Sequence, residues 1–563
     1  MKPSPIVTQT VGLGSAMFLT LAAPFILRPS DTSLTRKPDG KVIIVTPHNE
    51  TIRQEFGAAF TRHMKAATGK TIQVDWRTPG SGTSEIAKFI NSEFTAAFKN
   101  YWKNTQEHLW ESSFATHFND RELKPPADGE EKTKAHQVRE LFLGSTMGIG
   151  IDLFFGGGTY DFQKQKSLGY LVASTPDGKA GLAAVSEKHQ DWFTESVIPE
   201  SVSGEAYYDP ELCWAGSCLS AFGICYNTDL VEALRLPHAP KQWEDLTHPA
   251  YFDNIAMADP NMSGSVTKAF EMLIQQQIHI ALRNATGVLE YATLPDGEKA
   301  QKRERAIAAG WTRALTIIQD IGANSRYFTD SATKIPHDVA QGEAAAGMCV
   351  DFYGRTYNER LRKKDGSSRV QFVLPSGGTS IGVDPIGMFR GAPNPEYATA
   401  FLEFVLSPGG QQLWNYKTGT AGGPKRTAMR RLPVRKDLYI DRHLKNFSDP
   451  KVMPYEHADD FVYVPEYTAG YFDVIRFLVK VMCIDVHPEL RKARKALIRN
   501  GFPERALDTY HDLRMVTHEK ATTRINDVLR SDDKLLRLRL TRDLAGHFRK
   551  QYSKVTEMAN RGE

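Results

Sequence analysis

The chain has 563 residues, 41% of them hydrophobic, which predicts two or three domains with substantial cores. Its 70 basic and 66 acidic residues leave a net charge of +4, so the composition carries no electrostatic footprint of a nucleic-acid binder. The basic run Arg537-Leu-Arg-Leu-Thr-Arg542 lies among Asp and Glu and reads as a solvated helix face.

Ile6 to Leu27 carries no charge, and one lysine, Lys2, precedes it. The stretch is longer than a usual signal core and long enough to span a bilayer. Gly12, Gly14, Ser15 and Ala16 suit either use, and Leu21-Ala22-Ala23 is no clean cleavage site. Residues 1–37 are therefore expected to be a cleaved signal peptide or an uncleaved membrane anchor, with the Pro-containing Arg28 to Lys37 as a tether. A buried core helix is the plainer alternative.

Lys41 to Val45 reads as a buried strand, the loop Thr46-Pro-His-Asn-Glu50 follows, and Glu50 to Thr68 has the pattern of an amphipathic helix. Thr71 to Trp76 is a second strand, and the loop Arg77-Thr-Pro-Gly-Ser-Gly-Thr-Ser84 opens a helix over Glu85 to Ile90. This β-α-β-α rhythm predicts an α/β fold with a mostly parallel sheet. About residues 91–138 the rhythm breaks into aromatics, His, charge and Pro125-Pro126, read as a helical insertion.

The rhythm resumes with the strand Gly150 to Phe155 and its loop Gly156-Gly-Gly-Thr-Tyr160. Ser220 to Asn227 and Ile255 to Ala258 are further strands, and the loop Asp259 to Ser265 opens a helix over Val266 to Gln276. Gly310 to Ile321 and Ser331 to Gly342 read as helical. The small-residue strand Ala344 to Val350 delivers Asp351-Phe-Tyr-Gly-Arg355. Val370 to Leu374 and Gly382 to Met388 are strands, and Pro395 to Leu406 is a helix closed by Ser407-Pro-Gly-Gly410. Beyond Met429 the chain turns helical and basic. Cys213 and Cys218 either close a small loop in an oxidising compartment or are buried thiols like Cys225, Cys349 and Cys483.

Three loops set Gly, Ser and Thr directly before a helix. They nominate Ser81, Gly82 and Thr83; Gly157, Gly158 and Thr159; and Ser263, Gly264 and Ser265 as ligand contacts. A helix N-terminus exposes unpaired N–H groups and partial positive charge, so several facing one cleft would hold a phosphate or carboxylate. Ser and Thr also cap helices with no ligand involved. Asp351, Tyr353 and Arg355 follow a strand end. Arg355 suits a bidentate anion, and Asp351 suits sugar hydroxyls or an internal pair with Arg355. Asp384 touches the cleft or braces the return strand. Trp214 and Tyr160 stack on a sugar or pack in the core. There is no H-E-x-x-H or P-loop lysine motif, and no enzyme is expected.

Several stretches together carry a family likeness. They are Trp243-Glu-Asp-Leu, Ala258-Asp-Pro-Asn-Met-Ser-Gly-Ser265, Gly342-Glu-Ala-Ala-Ala-Gly347 and Phe401-Leu-Glu-Phe-Val-Leu-Ser-Pro-Gly-Gly-Gln411. In order and spacing, from about Lys41 to Tyr439, the chain resembles family 1 extracellular solute-binding proteins, the type 2 periplasmic binding proteins of ABC importers. The resemblance implies two α/β lobes joined by hinge strands near Ser220–Asn227 and Ile381–Met388. Lobe one would span 41–220 with the return 381–429, lobe two 228–380, and residues 430–563 would be a helical C-terminal extension, longer than the terminal helices that family members pack back on lobe one. It further implies a monomer outside the cytoplasm that binds a small anionic solute, without cofactor or nucleic acid, and delivers it to an ABC permease.

Within that family the chain most resembles the ferric-iron and hexose-phosphate binders. Ferric binders present adjacent tyrosines and a carboxylate. Here the tyrosine pair is Phe352-Tyr353, and Gly156-Gly-Gly-Thr159 stands where the carboxylate is expected. His48 and Tyr353 alone make a poor ferric site, since Fe³⁺ prefers several anionic oxygens. A ferric chelate stays as the alternative ligand, and an extracytoplasmic sensor as the alternative role.

Overall fold

The computed structural model describes residues 38–563 except 81, 107–108, 127–129, 288–292, 457–459 and 532. The apolar run before Leu27 thus lies outside the described residues. No helix among the described residues is long and apolar enough to cross a membrane.

The fold is two-lobed and α/β. Its main sheet runs in the order β2 (Ile72–Arg77), β1 (Gly40–Val45), β3 (Leu153–Phe155), β12 (Ile381–Phe389), β7 (Ala215–Asn227), β10 (Ala346–Val350), β8 (Ile255–Ala258) and β9 (Ser325–Thr329). β1 pairs in parallel with β2 and β3, and β8 with β9 and β10. Val42 to Val45 are all buried, as expected of a strand flanked on both edges and covered on both faces. The two long strands break the parallel pattern. β7 runs antiparallel to β12 over Ala215–Ala221, then antiparallel to β10 over Phe222–Tyr226. One strand therefore belongs to both lobes.

The hydrophobic core is accordingly divided. One cluster gathers Val42 to Leu219 with Val383 to Val434. The other gathers Ile224 to Val370 with Val474 to Ala559. The helix expected over Glu85 to Ile90 starts at Thr83 and continues to Thr105. Its buried Phe94, Phe98 and Trp102 meet Phe114, Phe118 and Phe142, so the aromatic-rich segment packs into the first lobe.

The C-terminal chain departs from the expected packing on lobe one. After β13 (Leu432–Pro433), Leu438 and Phe447 stay near Tyr416. The helices Phe472–Val479, His487–Arg499 and Lys534–Arg561 instead bury their apolar faces in the second lobe. There the helix Asp296–Asn324 offers Trp311 and Gln319, which donate to Val516 O (3.2 Å) and to Tyr510 O (2.9 Å). Leu540, Leu544 and Phe548 are buried, whereas Leu535 and Leu538 are exposed. All five cysteines are free, buried thiols. Cys218 lies inside β7, whose extended backbone carries it away from Cys213.

Candidate functional site

A cavity of about 520 Å³ lies between the lobes. Among the expected contacts, His48, Gly82, Thr83, Gly157, Gly158, Thr159, Ser263, Gly264, Ser265 and Tyr353 all line it. Ser81 lies outside the described residues. Asp351 and Arg355 do not line the cavity. They pair with each other (2.7 Å), and Arg355 donates to Arg430 O (2.9 Å). At four residues apart on the helix Asp351–Arg360, the two side chains meet on one face, so the internal ion pair is what this spacing forms. Trp214 is fully buried in the first core.

The three loops are in van der Waals contact. A Cβ on Gly82 would stand 2.3 Å from Met262 O, in the loop of the opposite lobe. Gly157 has φ +122°, and a Cβ there would meet Thr83 Cγ2 at 2.6 Å. Glycine is thus required twice for backbone to approach this closely. The helices Thr83–Thr105 and Thr159–Leu168 start at Gly82 and Gly158, and no side chain caps either one. Ser84 Oγ is buried beside the first of them with no hydrogen-bond partner. The helix Gly264–Thr286 is capped by Ser263 Oγ, which accepts from Val266 N–H at 3.5 Å. The first two ends therefore meet the cavity without a side-chain cap, and each carries one carboxylate in its first turn, Glu85 and Asp161.

The floor is a buried ionic cluster. Arg431 donates to Asp384 Oδ2 (2.5 Å) and to Ser220 Oγ (2.9 Å), and its Nη1 lies 3.2 Å from His48 Nε2. Ser220 donates to Asp384 Oδ1 (2.9 Å). The guanidinium sits over Phe352 at 4.3 Å, and its Nε has no partner. Burial works against the Asp384 charge, but Arg431 beside it overcomes this and holds the carboxyl at about 2. Burial pushes the His48 imidazole below its ordinary value, only partly opposed by Asp384. Burial also pushes the Tyr353 hydroxyl up to about 12, so it stays protonated at neutral pH.

A second buried cluster closes one side. Lys268 bridges Glu205 Oε1 (2.8 Å) and Glu271 Oε2 (2.9 Å), and sits over the Tyr463 ring at 3.9 Å. Asp161 lines the cavity near Gly264, with its carboxyl pKa raised by burial and partly offset by Arg476. Among the described residues no group of three or more His, Cys, Asp or Glu is arranged to hold a metal ion.

Sequence reasoning missed Arg431, Lys268, Glu205, Glu271 and Asp161. Lys268 and Glu271 carried a usable signal, an i,i+3 charge pair inside an otherwise apolar helix stripe. Arg431 carried a weaker one, a charge between Met429 and Leu432, both buried.

Residues 180–437 match the family model described as bacterial extracellular solute-binding protein. A relative from Haemophilus influenzae, described only as an uncharacterized protein, is 24% identical over 262 residues. The match covers 46% of this chain and 60% of that relative's length. Among solved structures, the periplasmic binding protein AfuA from Actinobacillus pleuropneumoniae, with fructose-6-phosphate bound, aligns at TM-score 0.42 and 16% identity over 75% of this chain and 95% of its own. Iron-bound HitA from Pseudomonas aeruginosa aligns at 0.43 and 15%, over 78% and 99%. The spermidine/putrescine-binding PotD from Streptococcus pneumoniae aligns at 0.40 and 16%, over 78% and 99%. Over residues 180–437 the family resemblance read from the sequence is borne out. Sugar phosphate, iron and polyamine differ in charge, so these neighbours do not single out a solute.

Proposed function

We propose that this chain, matched over residues 180–437 to bacterial extracellular solute-binding proteins, is the binding component of an ABC importer that captures a small anionic solute between its lobes. One observation carries the reading. Two helices, Thr83–Thr105 and Thr159–Leu168, enter the same cavity at Gly82 and Gly158 without side-chain caps, and Arg431 lines the same cavity. Fixed N–H donors and positive helix ends favour a phosphate or carboxylate group over a cation. The remaining polar wall, with Lys268, Glu205 and Asp161, suits hydroxyls on the body of the solute.

In this reading residues 41–220 and 381–429 form one lobe and 228–380 the other, with β7 and β12 as the hinge. Residues 1–37 serve as a cleaved signal peptide or an anchor, so the protein works outside the cytoplasmic membrane, and it works as a monomer. Closure on the solute changes the surface that the permease meets, which lets it tell loaded from empty protein. A tightly held Tyr353 proton and a His48 ring whose Nε2 faces the Arg431 guanidinium at 3.2 Å count against bare ferric iron.

A thermal-shift panel tests this. It contains hexose phosphates, phosphonates, carboxylates, ferric citrate, ferric phosphate and spermidine. A ligand of the folded state at a hundredfold excess over Kd stabilises by about 2.7 kcal/mol. The expected result is a raised melting point with a phosphorylated or carboxylated compound. A shift with spermidine alone, or with ferric salts alone, would overturn the anion assignment.

A further inference from the structure

The chain beyond residue 437 is not covered by the family match, yet it reaches the cavity. Tyr463, Pro465, Ala469 and Phe472 line it. These residues lie where the chain crosses between lobes. Upstream, Tyr455 donates to Val434 O (2.5 Å) in the first lobe. Downstream, Val474 is in the second core.

The crossing segment is bonded to both sides. Tyr463 N–H donates to Ser203 O (2.8 Å), in the turn of the first-lobe hairpin Ser201–Ala206. On the second lobe, Val464 exchanges two hydrogen bonds with Gln275 (both 2.9 Å), and Tyr463 OH donates to Glu271 (2.8 Å). Beyond the crossing, Phe472 stacks on Tyr160 of the first lobe at 4.5 Å and 27°. Asp473 accepts from Tyr160 OH (3.0 Å) and Lys164 Nζ (3.4 Å). Tyr160, expected to face a sugar or the core, is thus engaged by the extension.

We propose that the C-terminal extension completes the ligand site. Its Tyr463–Asp473 segment straps the cleft shut, and Tyr463 and Phe472 form an aromatic wall that selects for the body of the solute. The strap follows from contacts between lobes. The selective wall rests on the solute-binding reading above. Aromatic faces pack against the apolar face of a ring and contribute little to a small inorganic anion. The wall therefore favours an anion attached to a ring, such as a sugar phosphate, over inorganic phosphate.

The test uses the full chain with spin labels at Ser92→Cys and Gln301→Cys, exposed positions on helices of opposite lobes. The native cysteines are buried and do not compete for label. Electron–electron distance measurements compare this protein with Phe472→Ala, with Tyr160→Phe combined with Asp473→Ala, and with Phe472→Tyr. The strap predicts a longer second distance population in the first two and recovery in Phe472→Tyr. Unchanged distances in both disruptive variants would overturn it. Calorimetry with fructose 6-phosphate and inorganic phosphate reads the wall. Phe472→Leu, which keeps an apolar side chain against Tyr160 but removes the aromatic face, is expected to keep the wild-type lobe distances, to weaken the sugar phosphate at least about tenfold, or 1.4 kcal/mol, and to leave phosphate nearly unchanged. Equal loss for both would overturn the selective wall. A wild type that binds neither compound would also overturn this selectivity for sugar phosphates, and the distances would still decide the strap.

Discussion

Arg431 is the residue on which the cleft floor depends. It is 3% exposed, and its charge is balanced by Asp384, with Ser220 completing the bonds. A buried pair contributes little over an apolar replacement, but removing one partner leaves the other charge uncompensated. Asp384→Ala is therefore expected to cost about 3–5 kcal/mol in urea unfolding. Asp384→Ala together with Arg431→Met should recover part of that loss. The pH dependence has two parts with the same sign. Asp384 has a folded value of about 2 against 3.8 ordinarily, so its contribution is full above pH 3.8 and is lost as pH falls toward 2. His48 lies below its ordinary 6.5 when folded. Below that pH the unfolded chain binds a proton that the native state refuses, so stability falls with pH by up to about 1.4 kcal/mol per unit. His48→Gln should flatten the stability profile just below pH 6.5, and an unchanged profile would place the titration elsewhere. None of this cluster was visible as a cluster in the sequence, because His48, Ser220, Asp384 and Arg431 come from four distant segments.

At the scale of elements, the three Gly-, Ser- and Thr-rich loops do the positioning. Local sequence was informative here, since a glycine-rich loop before a helix is a short-range pattern with a short-range cause. The expected strand ends and helix starts deliver all three loops to one cavity. What the pattern left open was whether the loops cap or contact a ligand: Ser263 caps its helix, and the helices that start at Gly82 and Gly158 have no side-chain cap. The Gly82 contact with Met262 O yields an element-level prediction. Gly82 has φ −143°, an extended conformation any residue adopts, so Gly82→Ala should fold normally. Its methyl group would hold the two loops apart. Small-angle scattering should show a larger radius of gyration, and the panel ligand should bind at least about tenfold more weakly. Wild-type compactness and affinity would show that the loops relax around the methyl group. The Asp351–Arg355 pair is the converse case. Residue type suited a ligand, and i,i+4 geometry on one helix satisfied both charges internally.

On the scale of the whole molecule, the C-terminal helices are part of the second lobe's core. Val474, Leu478, Leu490, Leu497, Phe548 and Tyr552 are buried with Trp311 and Ile318. Ending the chain at residue 437, where the family match stops, would expose that face of the helix Asp296–Asn324 to water. Each large side chain uncovered costs about 1.5–3 kcal/mol, and a domain's total stability is about 5–15 kcal/mol. The truncated chain is therefore expected to aggregate or lose cooperative thermal unfolding, and a soluble product with wild-type melting would contradict this packing. The sequence by itself determined the α/β rhythm, the long strands near Ser220 and Ile381, the glycine loops and the family resemblance. The first three follow from periodicity or turn chemistry within some twenty residues, and the resemblance from the order and spacing of motifs between about Lys41 and Tyr439. The tertiary structure alone decided which charges face the cavity, that Asp351 and Arg355 satisfy each other, and that the C-terminal helices pack on the second lobe and wall the cleft. An apolar helix stripe states that a partner surface exists. Which surface it meets depends on what remains uncovered once the rest of the chain has folded.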